Sequence, residues 1–516
     1  MNDITNAVAS VNSAVNDVVW GVPALTLLIG TGILMTVLTG FFQFTHFGHT
    51  MKETIGKLFR KSTTRSSDKN SISQFQALCT ALSATIGTGN IAGVAYAITM
   101  GGPGAVFWMW IAAIVGMMTN YSENVLGIFF RRRNKDKEWS GGAMYYLRDG
   151  LGGKKNCKVL GKVLAILFSV FAVIASFGIG NMSQISTIRE SVLTAISGIA
   201  NNPALTTSQT GGWIIGIVLM VVAFLVIVGG LKRIAETNER IVPFMAIFYI
   251  LGSLIIVIMN AGQLLPAFGA IFRGAFSFKA AAGGVGGAVI AKAMTMGFKR
   301  GVFSNEAGLG SSVMVHSASD VKEPVTQGIW GIFEVFVDTI IVCTLTALVI
   351  LTSGVVNLET GEALSGATKL GLATEAFTKN FGVFGGIFIA VAVTLFAFST
   401  CLGWSFYGKK SWEFLFGTKS TIIYKIVFLA VIAVSGVLKA DLAIDLSDTF
   451  NGLMAIPNLI GVITLCSLVR DITKNYIDRR LKGKTDIKPM LSAFPDIQEE
   501  AEAALAKDLA DEARDQ

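Results

Sequence analysis

Apolar and polar positions fall along this chain in long blocks. Runs of about 18 or more mainly apolar residues lie near 20–45, 75–100, 104–130, 160–189, 212–230, 241–260, 283–312, 327–353, 384–408, 421–438 and 447–469. Each can cross a bilayer as a helix, so the pattern predicts an all-α polytopic membrane protein with eleven transmembrane helices. The first span stands alone. Spans two to six and seven to eleven make two sets of five, and an odd number per set inverts the second relative to the first. The chain then divides into an N-terminal segment with the extra helix and a basic loop (1–73), a first repeat (74–260), an extracellular connection (261–282), a second repeat (283–470) and a cytoplasmic tail (471–516).

The second span breaks the pattern. It contains Ser83-Ala84-Thr85-Ile86-Gly87-Thr88-Gly89-Asn90-Ile91-Ala92-Gly93, with three glycines and several polar side chains. Lipid offers the backbone no hydrogen-bond partner, so irregular backbone at membrane depth survives only inside protein or along a cavity. Gly89 and Gly93 also have the spacing of a helix-packing face. The leading span of the second set is interrupted too, through Met294-Thr295-Met296-Gly297-Phe298-Lys299-Arg300-Gly301-Val302-Phe303-Ser304-Asn305-Glu306-Ala307-Gly308-Leu309-Gly310. Matched interruptions in two halves point to the binding site of a secondary transporter.

Charge then orients the chain. Basic residues crowd 46–73, 131–159 (opening Arg131-Arg132-Arg133), the region after the fifth span, the region after the ninth and that after the eleventh. With eleven spans all of these share one side, while 191–211 carries no charge. The positive-inside rule puts the N-terminus outside and the C-terminus in the cytoplasm. The net charge of +8 is therefore read as topology, not nucleic-acid affinity. Mean hydropathy is +0.61 and only 15% of residues are charged, against about a quarter in soluble domains. Five scattered cysteines and three histidines show no metal spacing. Residues 1–19 are polar and lack the basic start of a signal peptide. The acidic, alanine-rich stretch 494–516 reads as a solvated helix.

Polar groups inside the spans carry the candidate chemistry. Ser399 and Thr400, adjacent in the ninth span, would complete an oxygen cage for a hard cation if they faced freed carbonyls of the second; otherwise they bond their own backbone. Asn181 and Gln184 share a helical face in span four and need partners from helices or substrate. Trp404, one turn past Thr400, walls a small cavity or is simply packed. Glu334 and Asp338 share a face of span eight, and Lys299 and Arg300 of span seven are their expected partners in an ion network or a structural lock. Glu123 and Glu306 are expected nearer the cytoplasmic ends, closer to water. An enzyme should show a clustered nucleophile and base, and a channel repeated filter elements; neither pattern is present.

Several long motifs, in order, resemble the alanine or glycine:cation symporters, bacterial and archaeal sodium–amino acid carriers. They are Ala81–Gly93, Gly101-Gly102-Pro103-Gly104 with Phe107-Trp108-Met109-Trp110, Gly141-Gly142-Ala143-Met144-Tyr145-Tyr146, and Arg300-Gly301-Val302-Phe303-Ser304-Asn305-Glu306-Ala307-Gly308-Leu309-Gly310-Ser311. The resemblance implies a leucine-transporter-like five-plus-five inverted repeat preceded by one extra helix, within the amino acid–polyamine–organocation superfamily. It implies that the substrate carboxylate meets the amides of Thr88 and Gly89, beside Asn90. Carbonyls of Ser83 and Ile86 would join Ser399 and Thr400 around one sodium, and Thr85 and Asn90 could serve a second. Gln184, Asn181 and Trp404 would line the pocket, and the 295–303 region, with Phe298, would face the substrate side chain. The implied function is import of alanine or glycine across the plasma (inner) membrane with sodium as the coupling ion and no other cofactor. No nucleic acid and no obligate protein partner are expected. Proton coupling through Asp338 or Glu334, or a preference for glutamine or serine, is the alternative; a nucleobase would need an aromatic stacking pair.

Overall fold

The computed structural model describes residues 2–514, apart from 59, 67, 69, 277–284 and 439–440. The end of the expected connection 261–282 and the start of the seventh span lie outside the described residues. The chain opens with α1 (Asn2–Val19) and α2 (Val22–Leu38). The first repeat holds α3 (Gln74–Thr85), α4 (Ala92–Gly101), α5 (Ala105–Phe129), α6 (Lys158–Phe177), α7 (Ser183–Ala200), α8 (Gln209–Ile227) and α9 (Gly230–Met259). After a surface helix, α10 (Leu264–Ala275), follow α11 (Val285–Asn305), α12 (Pro324–Val335), α13 (Thr344–Thr352), α14 (Lys369–Phe381), α15 (Val383–Phe416), α16 (Thr421–Ser435), α17 (Asp441–Thr464), α18 (Cys466–Tyr476) and α19 (Pro495–Arg514).

Eight helices among the described residues are long and apolar enough to cross a membrane, or ten if each of two bent pairs counts as one span. The eleventh expected span is α11. Lys292, Lys299 and Arg300 fall in every 18-residue window of it, so it fails the apolar standard that the others meet. Two helices outrun their apolar cores: α9 begins near Lys232 and Arg233, and α15 continues past Lys410, which is buried against Ser140 and Glu413. Amphipathic ends extend a helix beyond the run that hydropathy detects.

The middle of the molecule is built around α5, which packs on α12, α11 and α2. Every residue from Gly116 to Phe129 is buried. Helix α3 lies on α9 and α15, while α6 and α7 flank α15. Single π-helical stretches at Gly178–Met182 and Phe336–Cys343 join α6 to α7 and α12 to α13; such bulges widen a helix locally and gather at functional sites.

On the basic face a short hairpin pairs β1 (Arg132–Arg133) with β2 (Trp139–Ser140), with Arg132 opposite Ser140. The guanidinium groups of Arg131 and Arg133 both lie about 4 Å from the centre of the Trp139 ring. The tail, expected to be solvated, packs here instead. Leu491 and Leu505 are buried, the Ala493 N–H donates to the Phe129 carbonyl (2.9 Å), and Arg132 covers the Phe494 ring. Arg133 donates both to Asp68 (2.9 Å) and to Glu500 (3.0 Å). Acidic composition hid the apolar positions Ile497, Ala501 and Leu505, spaced at helical intervals on α19, with Leu491 and Phe494 just before it.

Candidate functional site

The two interrupted segments meet at the centre. Helix α3 starts at a capping box, in which the Gln76 N–H donates to Ser73 Oγ and the Ser73 N–H to Gln76 Oε1, both at 3.0 Å. It runs to Thr85, where Ile86 (ψ 87°) leaves the helix and Gly87 is extended. One turn, Thr88–Asn90, follows before α4 resumes at Ala92, bent 58° from α3. Glycine is required at 87 because an added Cβ would stand 2.7 Å from Thr400 Oγ1. Asn90 holds the break from inside: its Oδ1 accepts the Gly87 N–H (2.9 Å), and its Nδ2 donates to Asp338 Oδ1 (2.6 Å).

Of the residues expected to hold a cation (Ser83, Ile86, Ser399 and Thr400), Thr400 lies against Gly87 in the break itself. A Cβ on Gly403 would also lie 2.9 Å from Ser83 Oγ, so the backbone of α15 rests directly on α3. Ile86 is fully buried beside them. Both Ser399 and Thr400 donate to the Phe396 carbonyl at 2.9 Å, and Ser399 also approaches Met245 Sδ. A donating hydroxyl keeps its lone pairs, so it can still face a cation. Ser83 likewise donates to the Thr80 carbonyl while accepting from Asn238 Nδ2 (2.9 Å).

The expected pocket residues occupy the widened turn between α6 and α7. Asn181 donates to the Phe428 carbonyl and Gln184 to the Ile179 carbonyl, each at 2.9 Å. Their other amide atoms, Asn181 Oδ1 and Gln184 Oε1, are buried with no hydrogen-bond partner. Trp404 packs its stem on Gly180, where a Cβ would come within 2.3 Å. Gly89 lies against Phe303 and Ser304 of α11. Phe298 is not brought to this place; it packs at a tilt against Trp108 in a separate cluster with Trp20 and Val302.

Helix α11 is continuous through Met294–Gly301, and its interruption comes later. Glu306, Gly308 and Gly310 adopt positive φ, and only one helical turn, Val313–His316, follows. The chain's own side chains fill this break. Asn458 of α17 donates to the Gly308 carbonyl (2.9 Å) and to Glu123, and Tyr146 donates to Asn458. Glu306 accepts from Trp404 Nε1 (3.0 Å) and from Ser311. Glu123 and Glu306, expected near water, are 1% and 5% exposed; the partners that the break supplies draw them inside.

The expected pairing of Lys299 and Arg300 with Glu334 and Asp338 is not made. Lys299 donates to Asn16 (3.4 Å) and sits over Trp20, while Arg300 covers Tyr96 and Phe303. They stand four and five residues before Ser304, and a helix rises about 1.5 Å per residue, so they have left the level of Asp338. Asp338 instead accepts from Asn90, Ser304 (2.9 Å) and Thr339 (2.7 Å). Glu334 accepts from His316 Nε2 (3.0 Å) and Asn120 (3.2 Å), and Gln327 meets the other His316 nitrogen at 2.6 Å. The sequence reading missed Ser304, Asn305, Thr339, His316 and Asn458. The polar doublet Ser304-Asn305 directly before the positive-φ segment was the signal available for the first two.

Comparison with known proteins identifies the family. The family model described as "Sodium:alanine symporter family" matches residues 5–489. A sodium/alanine symporter, AgcS, of Methanococcus maripaludis is 42% identical over 91% of this chain and 98% of its own length. A probable sodium/glutamine symporter, GlnT, of Bacillus subtilis is 35% identical over 92% of this chain and 91% of its own. The crystal structure of MhsT in complex with L-phenylalanine superposes with a TM-score of 0.50, covering 80% of this chain and 98% of MhsT at 13% identity, and so shares the leucine-transporter-like fold alone. The chain belongs to the sodium:alanine symporter family: it is a cation-coupled amino acid symporter of the membrane, not an enzyme.

Proposed function

We propose that the protein imports a small neutral amino acid, alanine or glycine, driven by sodium. The observation that carries this reading is the seating of Thr400 Oγ1 against Gly87 in the unwound segment, with Gly403 of the same helix resting on Ser83. Hydroxyls and unwound carbonyls are the oxygen ligands a hard cation takes. The substrate carboxylate then meets the amides of Thr88 and Gly89, and its ammonium meets the free oxygens of Asn181 and Gln184. Trp404 limits side-chain size. The basic loops support a cytoplasmic C-terminus and an outer N-terminus, and the reading takes the plasma membrane as the location with no obligate protein partner.

A second reading is proton coupling. It is favoured by Asp338, a fully buried carboxylate whose three side-chain donors are all neutral. Uptake of labelled alanine into sodium-free proteoliposomes, under an imposed sodium gradient, decides between them. Sodium-driven uptake that Ser399→Ala/Thr400→Ala loses supports the cage. Uptake driven equally by a proton gradient moves the coupling to Asp338. No alanine uptake under any gradient sends the substrate to a wider amino acid panel, glutamine and serine first.

A further inference from the structure

We infer that Glu306 is a positioning residue that fixes the Trp404 indole and thereby sets the width of the side-chain pocket. This rests on the reading above that Trp404 faces the substrate.

The argument begins with the backbone. Glu306 is the first residue past α11 and has φ 56°. A residue with a Cβ takes this left-handed conformation reluctantly, and glycine or asparagine takes it more readily. Gly308 and Gly310 serve the same turn two and four residues later. A long acidic side chain at such a position is therefore there for what its carboxylate reaches.

That carboxylate reaches two places. Oε2 accepts from Ser311 Oγ, closing the break across its own length, and Oε1 accepts from Trp404 Nε1 at 3.0 Å on a different helix, α15. An indole has one N–H and no other polar group, so Glu306 is the polar anchor of the Trp404 ring. The rest of the ring is held by contact alone: its stem presses on Gly180 and its edge faces Tyr407 at 5.6 Å between centres. Trp404 is fully buried. A buried N–H that loses its acceptor is costly, and the ring would turn to recover one. The same turn that carries Trp404's packing partner, Gly180, also carries Asn181 and flanks Gln184, whose buried amide oxygens have no hydrogen-bond partner among the described residues. Rotation of the indole thus changes the space beside those oxygens. Because Glu306 belongs to the second break, the shape of that break and the position of the pocket wall move together.

The test is a substitution series in proteoliposomes. A panel of labelled amino acids first fixes which substrate the wild type carries, so an error in the alanine assignment is seen there and does not touch the series. KM and kcat are then measured for that substrate and for a larger aliphatic one in Glu306→Ala, Glu306→Gln, Trp404→Phe and the Glu306→Ala/Trp404→Phe double variant. Trp404→Phe keeps an aromatic ring and deletes the N–H, so it remains informative if Glu306→Ala does not fold. The expected result is a rise in KM of about tenfold in Glu306→Ala and in Trp404→Phe, from loss of a buried hydrogen bond whose other partner is left unsatisfied. Discrimination against the larger substrate falls, and the double variant is no worse than the worse single one. Glu306→Gln, which keeps an acceptor for the indole, restores KM and selectivity to within about twofold. The inference is overturned if the effects of the two single variants add, or if Trp404→Phe leaves KM and selectivity as in the wild type. A lower melting temperature or kcat without a KM and selectivity change also overturns it, since that is what a merely structural contact would give.

Discussion

The two interrupted spans occupy matching places in the two repeats, yet they are built from different materials. At the first, Ile86–Ile91, no residue needs positive φ, and helix resumes on the far side after a 58° bend. At the second, Glu306, Gly308 and Gly310 are all left-handed, and one short turn follows. The first break meets a hydroxyl, Thr400, at its glycine. The second is filled by an asparagine from α17, a glutamate from α5 and a tryptophan from α15. Equivalent positions in an inverted repeat thus need not share a task. One break faces a single small hydroxyl, and the other is stitched into the bundle by long side chains.

The sharpest way to break that contrast is to add the same methyl group to each. Gly87→Ala drives a Cβ into Thr400 Oγ1, and Gly310→Ala puts one 2.7 Å from the Asn458 side chain at φ 73°. Gly87→Ala is expected to raise the half-saturating cation concentration of uptake at least about tenfold, since misplacing a single ligand of a hard-cation site is costly, while its melting temperature in detergent stays near the wild type's. Gly310→Ala is expected to do the reverse. If both variants lose ion dependence or both lose stability, the two breaks are alike and the contrast fails.

A smaller effect comes from the stitching itself. Asn458→Leu strips the donor from Glu123 and Gly308 and the acceptor from Tyr146. Leaving such buried groups unpaired costs about 1–3 kcal/mol each, so thermal unfolding in detergent should show a clear loss. An unchanged melting temperature would mean that the second break is not held by this residue.

The smallest effect is expected far from both breaks, at the tail. Arg133 is about a third exposed, and so is worth at most about 1 kcal/mol through its pairs; Arg133→Ala should leave uptake intact. Burial alone would raise the Asp68 carboxyl, but hydrogen bonds from the Asn70 N–H, Arg133 and Ser71 hold it below the usual carboxylate range. A lowered carboxylate stabilises the folded form above its unfolded value, near pH 4, and loses that contribution as pH falls through its own lower value. Amide exchange in Pro495–Arg514 should therefore quicken only in that acidic window. Quickening near neutrality would assign the docking to other groups.

How much of this was legible in the sequence differs from place to place. Hydropathy and glycine spacing located the first break, although the same glycines could have made a helix-packing face and only the matched interruption in the second set favoured a break. The fold followed from apolar run lengths, except for α11, where Lys292, Lys299 and Arg300 lower the apolar signal. The second break was legible only as a stretch, Met294–Gly310, and the structure puts it at the end of that stretch, Glu306–Gly310. Its glycines at 297 and 301 turned out to be packing glycines, with Cβ positions 2.4 Å from the Ala105 carbonyl and 3.0 Å from the Ala112 side chain. Only backbone angles separate such glycines from those that end a helix. The charge pairing of Lys299 and Arg300 failed for a similar reason. Opposite charges in neighbouring spans suggest a bond, but depth along the helix decides it, and aromatic faces at Trp20 and Tyr96 took the cations instead. Asp338, Ser304 and Thr339 could not be joined from sequence, since they sit on two helices joined through the irregular segment after Asn305.

The match to the family ends at residue 489, and what lies beyond is strapped to the hairpin by Arg133 and Glu500. That strap is open to salt, because attraction between exposed charges is screened over about 8 Å at physiological ionic strength. A fluorophore attached near the end of α19 would therefore behave as a built-in ionic-strength gauge. Its anisotropy should fall as salt frees the helix, well before the transmembrane bundle responds.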